Sequence, residues 1–466
     1  MKKQKDLLLY IEELLATIDQ LRSDLKKAHE RIDELERRLG LNSNNSSKPP
    51  SSDGLKKETR TSSLRSNSGK KSGGQENHKG HTLKQVEKPD EIITHPLNTC
   101  PNCKAPLDDV TPKNIIKRQV FDIPEPKVHV IEHQAMVKVC PCCNQKAISR
   151  FPKNVNAPVQ YGDRARAFVA YFANQQFIPE DRLQETMKDC FGMHMSTGTI
   201  ADISNQLFIQ LAPFEKQVEV AVKISPVKNA DETGLRVAKK LFWLHSLSTK
   251  YATAYFVSEK RKNIIEHILG TLVHDHWKSY YDIRGVKHAL CNAHHLRELK
   301  AVFELDKEVW AEKMSKFLLV ARAKKKEFAD GIVSPDCLRE LKAEYINILG
   351  EAFAYHAKFE PLPKKKRGRQ AHRKGYNLCM RLFNYAEDAL RFLIDPLVPF
   401  TNNQAEQDVR MMKVKQKISG GFRTPEGAKV FARIRSLLST ARKLGLNLLT
   451  TLSNAFHGIT PDLIIA

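Results

Sequence analysis

The chain has 466 residues, enough for about three folded units with linkers between them. Lysine and arginine number 76 against 53 aspartate and glutamate, a formal net charge of +23, so the expected partner is a polyanion. Mean hydropathy is −0.45 and no apolar run approaches the roughly 18 to 20 residues a bilayer requires, which excludes a membrane-spanning function.

The N-terminal apolar run at 7–15 is interrupted by Glu12 and Glu13 and is followed by no small-residue cleavage site. It does not read as a signal peptide, and a cytoplasmic, nucleoid-associated protein is the expectation. Apolar residues recur at Leu7, Ile11, Leu14, Ile18, Leu21, Leu25, Ala28, Ile32, Leu35 and Leu39. This 4-3 alternation predicts a coiled coil over 1–40 and hence a homo-oligomer. A Ser, Gly and Lys-rich stretch then predicts a flexible basic linker over 41–90.

Residues 91–155 contain Cys100-Pro-Asn-Cys103 and Cys140-Pro-Cys-Cys143, separated by 36 residues. Each Cys-Pro-x-Cys turn sets two thiolates at adjacent corners of a tetrahedron, so the two pairs predict a closed Zn²⁺ site in a small β module. Strands are expected at 128–131 and 136–139. Two pairs without a thioredoxin-like surround argue against a redox role. Residues 156–222 predict a helical domain, with helices at 165–175, 179–190 and from about 196. Gly192 makes the second turn tight, as in a helix-turn-helix for DNA binding, although Thr197, Thr199, Asp202 and Asn205 are polar and not basic.

From 223 the pattern becomes α/β. Strands are expected at 227–230, 241–248, 252–257 and 271–273, with a helix at 264–269, and this order requires a mixed sheet. Helical periodicity returns from 294 to about 357, then at 376–394 and from 403 onward, ending in a C-terminal helical segment at 426–466. Residues 361–381 carry eight Lys or Arg and no acid, and residues 410–443 carry ten against Glu426 alone. Nearly acid-free basic runs favour phosphate contact.

Asp231 is expected to close the first of these strands and Asp275 the fourth, and adjacent strands would bring both carboxylates to one sheet edge. Glu406, in the first turn of a helix capped by Asn402 or Asn403, is a third candidate. Three hard oxygen ligands at such an edge suit two Mg²⁺ or Mn²⁺ ions and metal-assisted phosphoryl transfer. Arg410, Lys413, Lys415 and Lys417 follow on the same helix, placed to hold DNA phosphates.

Several stretches also carry a family resemblance. They are Asn-Ser-Ser-Lys-Pro-Pro-Ser-Ser-Asp at 45–53, His-Lys-Gly-His-Thr-Leu at 78–83, Asp-Glu-Thr-Gly at 231–234, Val-His-Asp-His-Trp at 273–277, Cys-Asn-Ala-His-His-Leu-Arg-Glu-Leu at 291–299, and the segment 401–423. Together they resemble transposases of insertion-sequence family sixty-six. The resemblance implies an RNase H-like DDE catalytic domain over 223–425 with a helical insertion at about 300–375. It further implies that Asp231, Asp275 and Glu406 form a triad holding two Mg²⁺ ions, and that the cysteine segment binds zinc. Cys291 and His294 match a Cys-x-x-His motif of related transposases, although a Cys at a strand end and a His on the next helix are more often packing residues.

The expected function is therefore that of a DNA transposase. It would cut at insertion-sequence ends, transfer the 3′-OH strand into double-stranded target DNA, and work with accessory proteins of the same element. Two alternatives from other classes are a non-catalytic zinc-dependent DNA-binding regulator and an RNase H-like nuclease. The regulator would leave the placement of the three acids unexplained. The nuclease would need no specific DNA ends.

Overall fold

The structure, a computed structural model, describes residues 2–42, 45–46, 83–262, 265–360, 362 and 370–463. Most of the expected linker over 41–90, most of both N-terminal family motifs and the centre of the basic run at 361–381 lie outside the described residues. Helix α1, Lys2–Gly40, carries the heptad-like seam on its surface, with Leu21 63% and Leu25 59% exposed. Its last turn meets the rest of the chain where Arg37 Nε and Nη2 donate to Asp306 at 2.8 and 2.9 Å.

Regular pairing in the cysteine segment is limited to a small hairpin, β1 (Val137–Val139) antiparallel to β2 (Lys146–Ile148). The strand expected at 128–131 does not form, and those residues have no regular secondary structure. Their β-branched composition favours extension, but a strand also requires a neighbouring edge.

Four helices follow, α2 (Asp163–Asn174), α3 (Glu180–Phe191), α4 (Thr197–Gln210) and α5 (Ala212–Ile224). Gly192 ends α3 in the left-handed conformation at φ 63°, and the Ser196 side chain caps α4 by accepting from the Thr199 N–H.

The main sheet has the order β5-β4-β3-β6-β7. Its strands are β3 (Val227–Val237), β4 (Lys240–Ser248), β5 (Thr253–Ser258), β6 (Thr271–His274) and β7 (Lys287–Leu290), with a short α6 (Lys278–Tyr281) between the last two. Strands β3, β4 and β5 pair antiparallel, whereas β3–β6 and β6–β7 are parallel.

Two expectations are corrected here. Asp231 does not close its strand, because β3 runs on to Val237 and pairs with β4 throughout. The described residues of the helix expected at 264–269 are not helical: His267 stands at φ 56° and Gly270 at φ 78°, while Ile265 and Ile268 are buried. Two isoleucines three apart imitate a helical face, but this segment is the crossover that carries the chain from one side of the sheet to the other.

Beyond β7 come α7 (Asn292–Asp306), α8 (Val309–Glu327), α9 (Pro335–His356), α10 (Lys374–Asn384) and α11 (Ala386–Ile394). The chain then returns to the sheet through α12 (Asn403–Ser419), α13 (Pro425–Lys443) and α14 (Leu448–Ala455).

Leu272 and Val273 are neighbours on β6 and point to opposite faces of the sheet. Leu272 joins a core with Ala230, Leu247, α2 to α5, α13 and α14. Val273 joins a second core built by α7 to α11. A third, smaller core packs Leu235, Val237 and Tyr255 against Met412 and Phe431. Among the described residues, no helix is long and apolar enough to cross a membrane.

Candidate active site

The parallel register pairs Val227 with Thr271, Lys228 with Leu272 and Asn229 with Val273. Two further steps bring Asp231 abreast of Asp275, the residue directly after β6. Asn229 and Asp231 share one face of β3 because side chains alternate along a strand. The Asn229 amide donates to Asn402 Oδ1 at 2.8 Å, so this face looks towards the start of α12. Glu406 lies one turn along that helix, its N–H donating to the Asn402 carbonyl at 3.2 Å.

Asn402 is the fastener of this arrangement. It stands at the N-cap position, yet its side chain does not cap the helix. Instead its amide donates to the Ala230 carbonyl at 2.7 Å, and its backbone N–H points at Cys291 Sγ at 3.1 Å. One buried asparagine thus ties the head of α12 to the central strand and to the start of α7.

The carboxyls gathered at this edge perturb one another. Burial, followed by the charges of Glu232, Asp275 and Glu406, holds the Asp231 carboxyl well above its ordinary range. Asp275 is pushed up to about 6 by burial and by Glu232, with a smaller contribution from Glu406 and partial relief from the Trp277 N–H and Arg261. The nearby guanidinium of Arg261 is committed to Glu232, at 2.9 Å. Such a cluster of buried, poorly compensated anions fits divalent cations bound through oxygen. Asp231, Asp275 and Glu406 do not close to within 4.8 Å as a trio; among the described residues, the group that does is Cys291, His294 and Glu406.

Sequence reasoning passed over Glu232, whose side chain is 3% exposed. It accepts from Tyr280 Oη at 2.6 Å and holds Arg261 against the Trp277 ring, 3.5 Å from its centroid. Its signal was adjacency to Asp231, since consecutive strand residues face opposite ways and serve different partners.

The four basic residues of α12 divide into two kinds. Arg410, Lys413 and Lys417 are exposed, and Lys415 is not. Lys413 donates to the Gly234 carbonyl at 2.6 Å, and Lys415 lies over the Phe422 ring at 4.4 Å, half-buried. After α12, Gly421 passes so close to β3 that a Cβ there would meet the Arg236 carbonyl oxygen at 2.7 Å.

The cysteine pairs each form a knuckle of the same design. Cys100 N–H donates to the Ala105 carbonyl and Lys104 N–H to the Cys100 carbonyl, at 2.9 and 3.0 Å. Cys140 repeats this with Gln145 and Asn144, at 2.9 Å each. Backbone N–H groups of Cys103 and Asn102 lower the Cys100 thiol, and those of Cys143 and Cys142 lower Cys140. Thiols readied for ionisation suit zinc. The structure does not close the two knuckles on each other, for no three of their sulfurs lie within 4.8 Å of one another.

Comparison with known proteins places the chain among the transposase families and their zinc-finger segments. Residues 98–144 match the zinc-finger binding domain of transposase IS66, and residues 3–84 match a family of unknown function, DUF6444. The chain belongs to the transposase IS66 family, whose profile matches residues 158–430. It is also 34% identical over 79 residues to the uncharacterized protein y4jO of Sinorhizobium fredii (strain NBRC 101917 / NGR234). That match covers 16% of this chain and 25% of the relative, so the chain spans about a quarter of that relative's length.

Proposed function

We propose that this transposase is of the DDE type, cutting DNA at the ends of its element and joining the freed 3′-OH to target DNA. The observation that carries the reading is the meeting of Asp231, Asp275 and the head of α12 at one sheet edge, where buried carboxyls raise one another's affinity for protons. The strand order and the parallel β3–β6–β7 pairing support an RNase H-like catalytic domain. Residues 223–425 would form it, with α7 to α11 as the helical insertion.

Asp231, Asp275 and Glu406 would hold two Mg²⁺ or Mn²⁺ ions. Bound there, such ions would supply activation of an attacking oxygen and stabilisation of a leaving 3′ oxygen. The chain's own residues orient the ligands. The Glu232 N–H and the Trp277 N–H each donate to a carboxylate Oδ1, of Asp231 and Asp275 respectively, at 2.9 Å, so that each carboxylate would keep a second oxygen to offer as a ligand. Asn402 sets the height of Glu406 above the sheet. Arg410 and Lys417, exposed on α12, would hold phosphates of the bound strand, a contact that carries affinity without sequence information.

Zinc held by Cys100, Cys103, Cys140 and Cys143 would order the finger, which with the helices at 156–222 would recognise the element ends. The exposed seam of α1 supports assembly through a coiled coil, so that two ends are held together. Accessory proteins of the element would act on this assembly.

The test is strand cleavage by the full chain on DNA carrying its own element ends, with Mg²⁺ or Mn²⁺. Nicking at the boundary that leaves a 3′-OH, and is lost in both Asp231→Ala and Glu406→Gln, is the expected result. Full activity in both variants would overturn the reading.

A further inference from the structure

Glu406 faces two ways in this structure. Besides the aspartates, it approaches a thiol and an imidazole that the proposed chemistry does not use. Its Oε1 lies 3.9 Å from Cys291 Sγ and 3.7 Å from His294 Nδ1, and the three ligand atoms all fall within 4.8 Å of one another. His294 Nδ1 is buried with no hydrogen-bond partner. Cys291 is 1% exposed, and its sulfur receives the Asn402 N–H at 3.1 Å, a donor placed to stabilise a thiolate. Ligand atoms around a tetrahedral zinc ion stand roughly 3.3 to 3.7 Å apart, from bond lengths of about 2.0 to 2.3 Å, so the two contacts to Glu406 are within a few tenths of an ångström of that spacing and the Cys291–His294 separation, under 4.8 Å, would contract to it on binding.

We propose that Cys291, His294 and Glu406 form a second transition-metal site, separate from the cysteine finger and suited to Zn²⁺. Thiolate and imidazole favour zinc over Mg²⁺, while the neighbouring carboxylates favour the reverse. On binding, the Cys291 thiol gives its proton to solvent and a sulfur–zinc bond forms. Glu406 belongs to both sets, so zinc here draws it away from Asp231 and Asp275 and opposes the magnesium-supported reaction. This last consequence rests on the function proposed above. The site itself does not.

The experiment counts metal on the full chain. After equilibration with Zn²⁺ and gentle desalting, native mass spectrometry should find about two zinc ions per chain, and about one in Cys291→Ser and in His294→Ala. Cys103→Ser should also lose one, from the finger. Added Co²⁺ should give the zinc-finger-loaded wild type a new thiolate-to-cobalt absorption band that Cys291→Ser lacks. A wild type holding a single zinc and showing no such band would overturn the site, leaving the 3.9 Å contact as a thiol donating to a carboxylate. So would a Cys291→Ser protein that keeps both ions. In the cleavage assay, zinc should suppress magnesium-supported nicking by the wild type. If nicking occurs and zinc leaves it unchanged, the antagonism is wrong. If no nicking occurs under any condition, the function proposed above fails and the metal count still decides the site.

Discussion

Replacing Asp275 by asparagine should make the metal-free protein more stable while removing its metal response. The Asp275 carboxyl titrates near 6, against an ordinary 3.8. At about 1.4 kcal/mol per pH unit, its ionised form costs the fold ~3 kcal/mol at neutral pH. A carboxyl raised in the folded state binds its proton more tightly there than in the unfolded chain. The associated stability is therefore fully present below pH 3.8 and is lost as pH rises through about 6. Asparagine keeps the shape and the Oδ1 acceptor for the Trp277 N–H, and removes the charge. The expected gain is ~1 to 3 kcal/mol at pH 7 in EDTA, which raises the melting temperature of a domain this size by roughly 3 to 8 °C. Calorimetry of both proteins from pH 7 down to pH 4 should show the gap closing as the wild-type carboxyl protonates. Added Mg²⁺ at pH 7 should raise the wild type more than the variant. If Asp275→Asn melts at or below the wild-type temperature at pH 7 in EDTA, the carboxyls are not in the mutual conflict described.

Asp408→Ala should cost about 3 to 5 kcal/mol in urea denaturation, because it strands the buried Lys443 ammonium now held at 3.0 Å; the double variant with Lys443→Met should recover most of the loss, and a single variant within ~1 kcal/mol of wild type would contradict this. Leu21→Lys with Leu25→Lys should lower the mass measured by light scattering to that of one chain, whereas an unchanged mass would remove α1 as the assembly seam. Arg410→Ala and Lys417→Ala should each reduce the salt dependence of DNA binding by about one phosphate contact. Lys415→Ala should leave that slope alone and lower the melting temperature, since its ammonium sits over Phe422.

Local patterns carried much of this fold. The 4-3 alternation gives α1, the apolar run at 241–244 gives β4, and of the three acids Asp275 follows a strand and Glu406 opens a helix, whereas Asp231 lies within β3. What escaped was decided at long range. Asn402 has the sequence of a cap, but Ala230 and Asn229 lie 172 and 173 residues away and compete for its side chain. Arg261 sits in an irregular loop, and only the folded sheet brings it to Glu232. Strand β7 is four residues long and exists because β6 offers an edge. Cys291 and His294 were visible as a spaced pair, yet the third member of their group comes from a helix more than a hundred positions away.

The helical block between β7 and α12 also has a consequence in time. Asp231 and Asp275 leave the ribosome first, and Glu406 follows 131 positions after Asp275, roughly ten seconds later at ordinary elongation rates. Until α12 has been made and Asn402 has fastened it to Ala230, the nascent chain carries two aspartates but not the third member of the proposed ligand set. On the function proposed above, an unfinished polypeptide would not cut DNA, and that ability would arrive only with nearly the whole chain.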